Sequence, residues 1–145
     1  MTVFETRRFG TLSIPDVDFY TVAGGLPGFP GLSRFVLLPN PGGGPFQWLQ
    51  SAERPELAFA VCDPLLFAPD YRAEVRNEDL AELGLAKLEE GFVLVILTVP
   101  TDPKKMTANL LGPLVFNPTT MKVRQVVQGK SASLARVPVF GGAPC

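Results

Sequence analysis

The 145-residue chain contains no histidine. This absence removes the Ser-His-Asp and Cys-His nucleophile systems, the histidine general base and the commonest transition-metal ligand. Cysteine is scarce as well, since only Cys62 and Cys145 are present and they lie far apart in the sequence. Two distant thiols give neither a disulfide framework nor the usual spacing of a zinc site. The composition therefore argues against an enzyme and against a metal site, and no cofactor is expected.

Long apolar runs are missing too. The longest is Phe92–Leu97, whereas a transmembrane helix needs about 20 apolar residues. The N-terminal segment carries Glu5, Arg7 and Arg8, where a secretory signal would need an apolar stretch. We therefore expect no membrane association and a cytoplasmic location.

Acidic residues are absent from the last part of the chain. Residues 103–145 hold six basic residues and no acid, while residues 1–102 hold seven basic residues against all 14 acids, a formal charge of −7. An acidic face would attract basic partners, unless folding interleaves the two halves and removes the separation. The sequence leaves both outcomes open.

Short apolar or alternating runs recur between turn signals. Hydrophobic residues make up 46% of the chain, and 14 glycines with 15 prolines divide it into short segments. The pattern predicts a mainly β protein, a small closed or pseudo-barrel of antiparallel strands. The eleven candidate strands are Val3–Phe9, Thr11–Ile14, Val17–Val22, Arg34–Leu38, Phe46–Ser51, Leu57–Cys62, Arg72–Val75, Phe92–Val99, Met106–Leu111, Leu114–Asn117 and Met121–Val127, a number expected to exceed the true count.

One short α-helix is predicted near residues 78–84. Asn77 is its expected N-cap, Glu78 and Asp79 occupy the first turn, and Gly84 supplies the C-terminal stop. Residues 1–130 are expected to form a single β-barrel-like domain. The loose composition of residues 131–145 predicts a C-terminal arm or flexible tail.

Four segments of the chain carry a family likeness. They are Leu26-Pro27-Gly28-Phe29, Phe46 to Ser51, Asp63-Pro64 running to Pro69-Asp70-Tyr71, and Met106 to Pro113. In this order they resemble the flagellar assembly factor FliW family, and the likeness covers roughly residues 1–130. The resemblance implies a small barrel-like β fold, a cytoplasmic location and no enzymatic activity.

The resemblance also implies two protein partners. One is newly made flagellin, and the other is CsrA, an RNA-binding repressor of flagellin translation. The protein would hold flagellin as a chaperone or bind CsrA as an antagonist, so that flagellin export relieves the repression. A monomer without direct nucleic-acid contact is expected.

Eight residues are candidates for partner contacts: Leu26, Phe29, Gln50, Glu78, Asp79, Glu82, Met106 and Asn109. Leu26 and Phe29 belong to a Pro-Gly loop and are expected at the surface as apolar anchors. The three acids of the helix would face a basic partner, and reversing their charge is expected to leave thermal stability nearly unchanged. Met106 could be an anchor or a core residue, and Trp48 is expected in the core.

Asn109 interrupts an apolar strand, and its amide must be satisfied if it is buried. It either ties down a neighbouring loop or presents the amide to a partner, and the sequence favours neither.

A function of a different class remains possible. An OB-like barrel could bind single-stranded nucleic acid through a basic groove, for which Lys104, Lys105, Lys122 and Arg124 are the candidate residues. Aromatic side chains are sparse near these positions, so solvated strand faces explain the charges better. An enzyme of another type is the third and weakest alternative.

Overall fold

The computed structural model describes residues 1–22, 25–26, 28–129 and 132–139. Over these residues it contains eleven β-strands and one α-helix. The strands are β1 Thr2–Thr6, β2 Gly10–Ile14, β3 Phe19–Val22, β4 Arg34–Pro39, β5 Gln47–Ser51, β6 Ala58–Cys62, β7 Phe92–Thr98, β8 Thr107–Ala108, β9 Leu114–Asn117, β10 Lys122–Gln125 and β11 Val137–Pro138, and the helix is α1 Asn77–Leu83. The prediction of a mainly β protein with one short helix is confirmed.

Seven of the strands close into a barrel in the order β7-β6-β5-β4-β3-β10-β9, and β9 then pairs back onto β7. Closure is tight where β9 meets the start of β7, because a Cβ at Gly91 would lie 2.3 Å from the carbonyl oxygen of Phe116. Neighbouring strands are antiparallel except β3 and β10, which run parallel at Thr21 and Val22. The closed barrel is thus confirmed, and the expectation of wholly antiparallel pairing is wrong at this one position.

The barrel interior is filled by side chains that alternate along the strands. Leu37 lies opposite Leu49 across β4 and β5, and Leu49 lies opposite Phe59 across β5 and β6. Its buried members are Tyr20, Val22, Leu26, Phe35, Leu49, Val61, Leu94, Leu114, Phe116 and Val123. This period-two placement is the pattern that made the strands recognisable in sequence.

The outer faces of several strands are buried as well, under three separate covers. The β1–β2 hairpin lays Phe4 against Val36, and α1 lays Leu83 against Val115. The third, which we call the C-terminal cover, is the segment 132–139, whose Leu134, Val137 and Val139 pack against the cluster formed by Met106, β6 and β7. Strands buried on both faces read as continuous apolar runs, which explains why β7 gave the longest run in the chain.

Ten of the eleven predicted strands coincide with observed ones. The exception is Arg72–Val75, which forms no ladder because the side chain of Gln128 takes the place of a partner strand. Its Nε2 donates to the carbonyl of Glu74 at 3.1 Å, and its Oε1 accepts from the Glu74 amide at 2.7 Å. The predicted strand Met106–Leu111 shortens to Thr107–Ala108.

The helix ends as predicted but begins differently. Gly84 is the C-cap in the left-handed conformation, with φ of 79°. Asn77 was the expected N-cap and is instead the first helical residue, since Arg76 occupies the cap without a side-chain hydrogen bond. Glu78 and Asp79 lie in the first turn, where the helix dipole favours acids.

The described part of the C-terminal segment packs on the barrel. Strand β11 pairs with β8, the Leu110 amide donates to Leu134 at 2.8 Å, and the Val139 amide donates to Met106 at 3.0 Å. Residues 132–139 are therefore a cover for the barrel wall. The domain limit at residue 130 stays a prediction, because residues 130, 131 and 140–145, including Cys145, lie outside the described residues.

Candidate functional site

The described residues contain no group of three or more His, Cys, Asp or Glu side chains that could hold a metal ion. In the same ranges no helix is long and apolar enough to cross a membrane. Surfaces that could bind a macromolecule are therefore the candidate sites in the described residues.

Cys62 lies on the outer face of β6, with 0% exposure, beneath the C-terminal cover. Burial raises the pKa of its thiol to about 12, and the neighbouring Asp63 charge adds to the shift. We expect no reaction of Cys62 with a thiol reagent at pH 8 until the protein is unfolded, because the thiolate is the reacting form. Residue-level mass spectrometry after labelling checks this, and rapid native labelling would contradict the burial.

The Leu26–Phe29 loop does not present both apolar residues to solvent. Leu26 is 3% exposed and belongs to the barrel interior, so the expectation that it lies at the surface is wrong. Phe29 is half-buried, edge-on to Phe59 at 5.8 Å, with the Arg54 guanidinium 5.8 Å from its ring centroid. The Phe29 amide donates to the Leu26 carbonyl at 2.8 Å.

Gln50 is fully buried, so it presents no surface to a partner in this conformation. Its Nε2 donates to the carbonyls of Ser51 at 3.0 Å, Pro55 at 3.3 Å and Leu57 at 3.1 Å. Its side chain therefore stabilises the turn between β5 and β6. The partner role of Gln50 has no support from its position.

Met106 and Asn109 also serve the fold. Met106 is 6% exposed and lies in the cluster beneath the C-terminal cover, which places it in the core. The Oδ1 of Asn109 accepts from the amides of Leu111 at 3.0 Å and Gly112 at 3.1 Å. Of the two roles left open by the sequence, the structure therefore shows Asn109 tying down a loop.

Trp48 lies on the outer face of the barrel and is half-buried, less covered than the sequence suggested. Its Nε1 donates to Oδ1 of Asn40 at 3.2 Å, and the Arg8 guanidinium lies 3.7 Å from the ring centroid. The ring and the indole N–H of Trp48 therefore both have their contacts within the chain.

The acids of α1 differ sharply in their surroundings. The side chains of Glu78 and Glu82 are 77% and 59% exposed, whereas that of Asp79 is 4% exposed. Arg124 Nε lies 2.9 Å from Asp79 Oδ1, and Arg124 Nη1 lies 2.6 Å from Glu82 Oε2. The expectation that all three acids face a partner is therefore wrong for Asp79, which joins the helix to β10.

The segment that contains this helix is rich in acids. The excursion from the barrel between β6 and β7, residues 63–90, holds eight acids and three basic residues, hence a formal charge of −5. All of these acids except Asp79 are exposed. We call residues 63–90 the acidic flank. Seven of its eight acids are therefore accessible to a partner, and Arg124 from the basic half of the chain is paired with Asp79 and Glu82.

The four basic residues proposed for a nucleic-acid groove do not come together. Lys104 and Lys105 follow the Thr98 end of β7, whereas Lys122 lies beside β9 near the Phe92 end. The seven residues of β7 separate them by about 20 Å at the usual rise per strand residue. Arg124 is already held by two carboxylates.

An apolar groove that the sequence analysis did not predict lies in the acidic flank. Leu65 and Leu66, in the turn that follows Asp63-Pro64, are 48% and 57% exposed. The groove beside Leu65 has a volume of about 500 Å³ and is also lined by Leu88 and Phe92. Two leucines directly after an Asp-Pro turn signal were the available clue.

These features define a class of protein: a small closed β-barrel, covered outside by a hairpin, a helix and a C-terminal segment. The FliW protein family model matches residues 3–139. The chain therefore belongs to the FliW family, as the four segments indicated.

Relatives and a solved structure agree with this assignment. The flagellar assembly factor FliW of Bdellovibrio bacteriovorus is 40% identical over 138 residues, which cover 95% of this chain and 79% of that protein. The flagellar assembly factor FliW of Heliobacterium modesticaldum is 40% identical over 127 residues, 88% of this chain and 83% of that protein. A crystal structure of a flagellar assembly factor FliW superposes with a TM-score of 0.90 at 28% identity, covering 99% of this chain and 100% of that one.

Proposed function

We propose that this chain is a cytoplasmic, monomeric flagellar assembly factor that binds flagellin and CsrA in turn. Bound to flagellin it acts as a chaperone, and released by flagellin export it binds CsrA and relieves repression of flagellin translation. The observation that carries the proposal is family membership over residues 3–139, together with the assembly-factor relatives.

The proposed coupling follows from linkage between two ligands. If the two partners exclude each other, a rise in free flagellin lowers the amount of chain available to CsrA, without any catalytic step. A barrel covered on its outside by three separate elements offers several distinct surfaces on which two unlike partners can bind.

The acidic flank supports the CsrA half of the proposal. An RNA-binding protein carries a positive surface for phosphates, and the flank has a formal charge of −5. Opposite surface potentials speed association and make it sensitive to salt. The carboxylates of this flank would also repel the phosphates of an RNA that competes for the same repressor.

Co-purification tests the proposal. The full chain, immobilised at micromolar concentration in moderate salt, is expected to retain purified flagellin and purified CsrA, and flagellin in excess is expected to reduce the CsrA retained. The proposal fails if neither protein is retained.

Reversing the exposed charges of α1 is expected to weaken CsrA binding. The double variant Glu78→Lys, Glu82→Lys should bind about tenfold less tightly at low salt, with a smaller difference at high salt. Unfolding free energy should fall by no more than about 1 kcal/mol, since both side chains are exposed. Titration calorimetry at two salt concentrations measures the effect, and urea unfolding measures the stability.

Glu56→Lys is the matched control, because Glu56 is an exposed acid outside the acidic flank. It should leave CsrA affinity unchanged. An equal loss in both variants would mean that net charge alone, and not this surface, governs the binding.

A further inference from the structure

Strand β2 has one edge that is not hydrogen-bonded to any other described part of the chain. It pairs with β1 over Gly10–Ile14 and, among the described residues, with no other strand. In the same ranges the backbone groups of residues 11–14 make no hydrogen bond outside that pairing. None of the five residues of β2 is buried. Because the backbone N–H and C=O groups of a strand point alternately to its two sides, β2 presents an unpaired row of them to solvent.

The other strand of this hairpin is less available. Arg34 Nη2 donates to Thr2 Oγ1 at 3.4 Å, and the amide of Arg7, directly after β1, donates to the Pro55 carbonyl at 2.8 Å. These contacts hold both ends of β1 to the barrel and to its β5–β6 turn. The edge of β2 has no such contact in the described part of the chain, so it is the open edge of the hairpin.

The β2 edge carries none of the features that prevent strands from pairing. Its sequence Gly-Thr-Leu-Ser-Ile has no charged residue and no proline, and its register with β1 is continuous, without a bulge. Exposed sheet edges are usually protected by lysine, proline, a bulge or a covering segment. Pro15 directly follows β2 and lacks the N–H that a longer ladder would need. The edge is therefore suited to the addition of one strand of about five residues.

The charges at the two ends of β2 select the incoming strand. Arg7 lies in the turn before β2, Asp18 lies in the 3-10 turn after it, and both are exposed. Neither side chain has an ion pair or a hydrogen bond to another described residue. A second copy of the chain added in the antiparallel direction would bring the basic end of each β2 to the acidic end of the other, because a two-fold axis repeats every contact. A parallel copy would place like charges side by side, so the chain is complementary to its own edge in one direction only.

An antiparallel pair centred on Leu12 also matches the facing side chains. In that register Thr11 lies opposite Ser13 of the second copy, and Gly10 lies opposite Ile14 of the second copy. Hydroxyl side chains directly opposite each other form favourable cross-strand pairs. Thr11 and Ser13 are exposed, so neither side chain has to leave the core to make this contact.

From these observations we propose that the edge of β2 binds a second copy of this chain, by antiparallel pairing of the two β2 strands across a two-fold axis. The inference goes beyond the proposed function, in which the monomer binds flagellin and CsrA. The dimer would be an additional state, formed at high protein concentration because five paired residues on each copy make a small interface.

Charged variants of the two hydroxyl residues test the pairing. In Thr11→Lys, Ser13→Lys each lysine would face a lysine of the second copy, and in Thr11→Glu, Ser13→Glu each glutamate would face a glutamate. Analytical ultracentrifugation of the full chain, from about 10 μM to about 1 mM, should show dimerisation of the parent and at least about tenfold weaker self-association of either variant. An equimolar mixture of the two variants should restore the association, since each lysine then faces a glutamate.

Thr98 and Thr101, at the end of β7 and just beyond it, are exposed and receive the same substitutions as the control. The variants Thr98→Lys, Thr101→Lys and Thr98→Glu, Thr101→Glu have the same net charges as the β2 variants but leave the β2 edge intact. Circular dichroism and urea unfolding confirm that each variant is folded. Each control should self-associate at least about tenfold more tightly than the β2 variant of equal charge.

Three results would overturn the pairing. The first is a parent chain that remains monomeric up to about 1 mM. The second is a pair of β2 variants that self-associate as tightly as their controls, which would place the contact elsewhere on the molecule. The third is a mixture of the two β2 variants that stays as dissociated as each variant alone, because opposite charges facing each other across β2 must then have no effect.

Discussion

Replacing Phe116 with alanine is expected to lower the free energy of unfolding by about 3–5 kcal/mol. Phe116 is 0% exposed on β9, the strand that closes the barrel between β10 and β7. Its ring is stacked on Phe92 at 4.8 Å and 4° between planes, and it meets Tyr20 edge-on at 5.0 Å. The substitution removes both ring contacts and leaves a cavity in the wall that can relax little.

Urea unfolding followed by the fluorescence of Trp48 measures this loss, because the chain has one tryptophan and it is half-buried under Arg8. Val17→Ala is the control, and with Val17 76% exposed it should change stability by less than about 0.5 kcal/mol. A loss below about 1 kcal/mol for the Phe116 variant would show that the interior is not close-packed at this point.

Much of the barrel followed from sequence because its strands obey a local rule. Alternation and short apolar runs marked Arg34–Leu38, Phe46–Ser51 and Phe92–Val99 as strands, and the structure contains a strand at each. Gly84 marked the end of α1 because a left-handed residue is needed there. Such signals depend on residues close together in the chain, so they can be recognised without knowledge of the fold.

Three of the failures depend on contacts between distant residues. Arg72–Val75 has strand composition, yet Gln128 takes its backbone bonds. Strand β11 exists only because β8 offers it an edge. Leu26 stands beside Pro27 and Gly28, a composition typical of a surface loop, but its side chain packs in the barrel interior. No local pattern distinguishes these outcomes.

The acids of the candidate site could be counted in the sequence, but its shape could not be predicted. The excess of acids between residues 63 and 90 can be counted in the sequence. The groove beside Leu65 forms only because folding brings the turn at Asp63 close to Leu88, which the sequence does not show. Which acid of α1 is buried depends on where Arg124 lies, and Arg124 is 45 positions after Asp79 in the sequence.

That burial makes Asp79 the acid whose reversal should cost most. Its side chain is 4% exposed and lies 2.9 Å from Arg124 Nε and 3.5 Å from Arg76 Nε. In Asp79→Lys an ammonium would be enclosed beside two guanidinium groups, and the favourable charge in the first turn of the helix would be lost. We expect the free energy of unfolding to fall by about 3 kcal/mol. This value is at the lower end of the range for breaking a buried ion pair, because Arg124 is 38% exposed.

Glu78→Lys separates burial from charge, since it makes the same change one position earlier, where the side chain is 77% exposed. Its cost should be below about 1 kcal/mol, because Arg76 and Glu78 form an exposed pair. Urea unfolding of the two variants in the same buffer gives the comparison, and equal losses would show that the Asp79–Arg124 contact does not join α1 to the barrel. If the two variants differ in stability as expected, weaker CsrA binding by Asp79→Lys is explained by a loosened helix. Weaker CsrA binding by Glu78→Lys is then explained by the charge change at the surface.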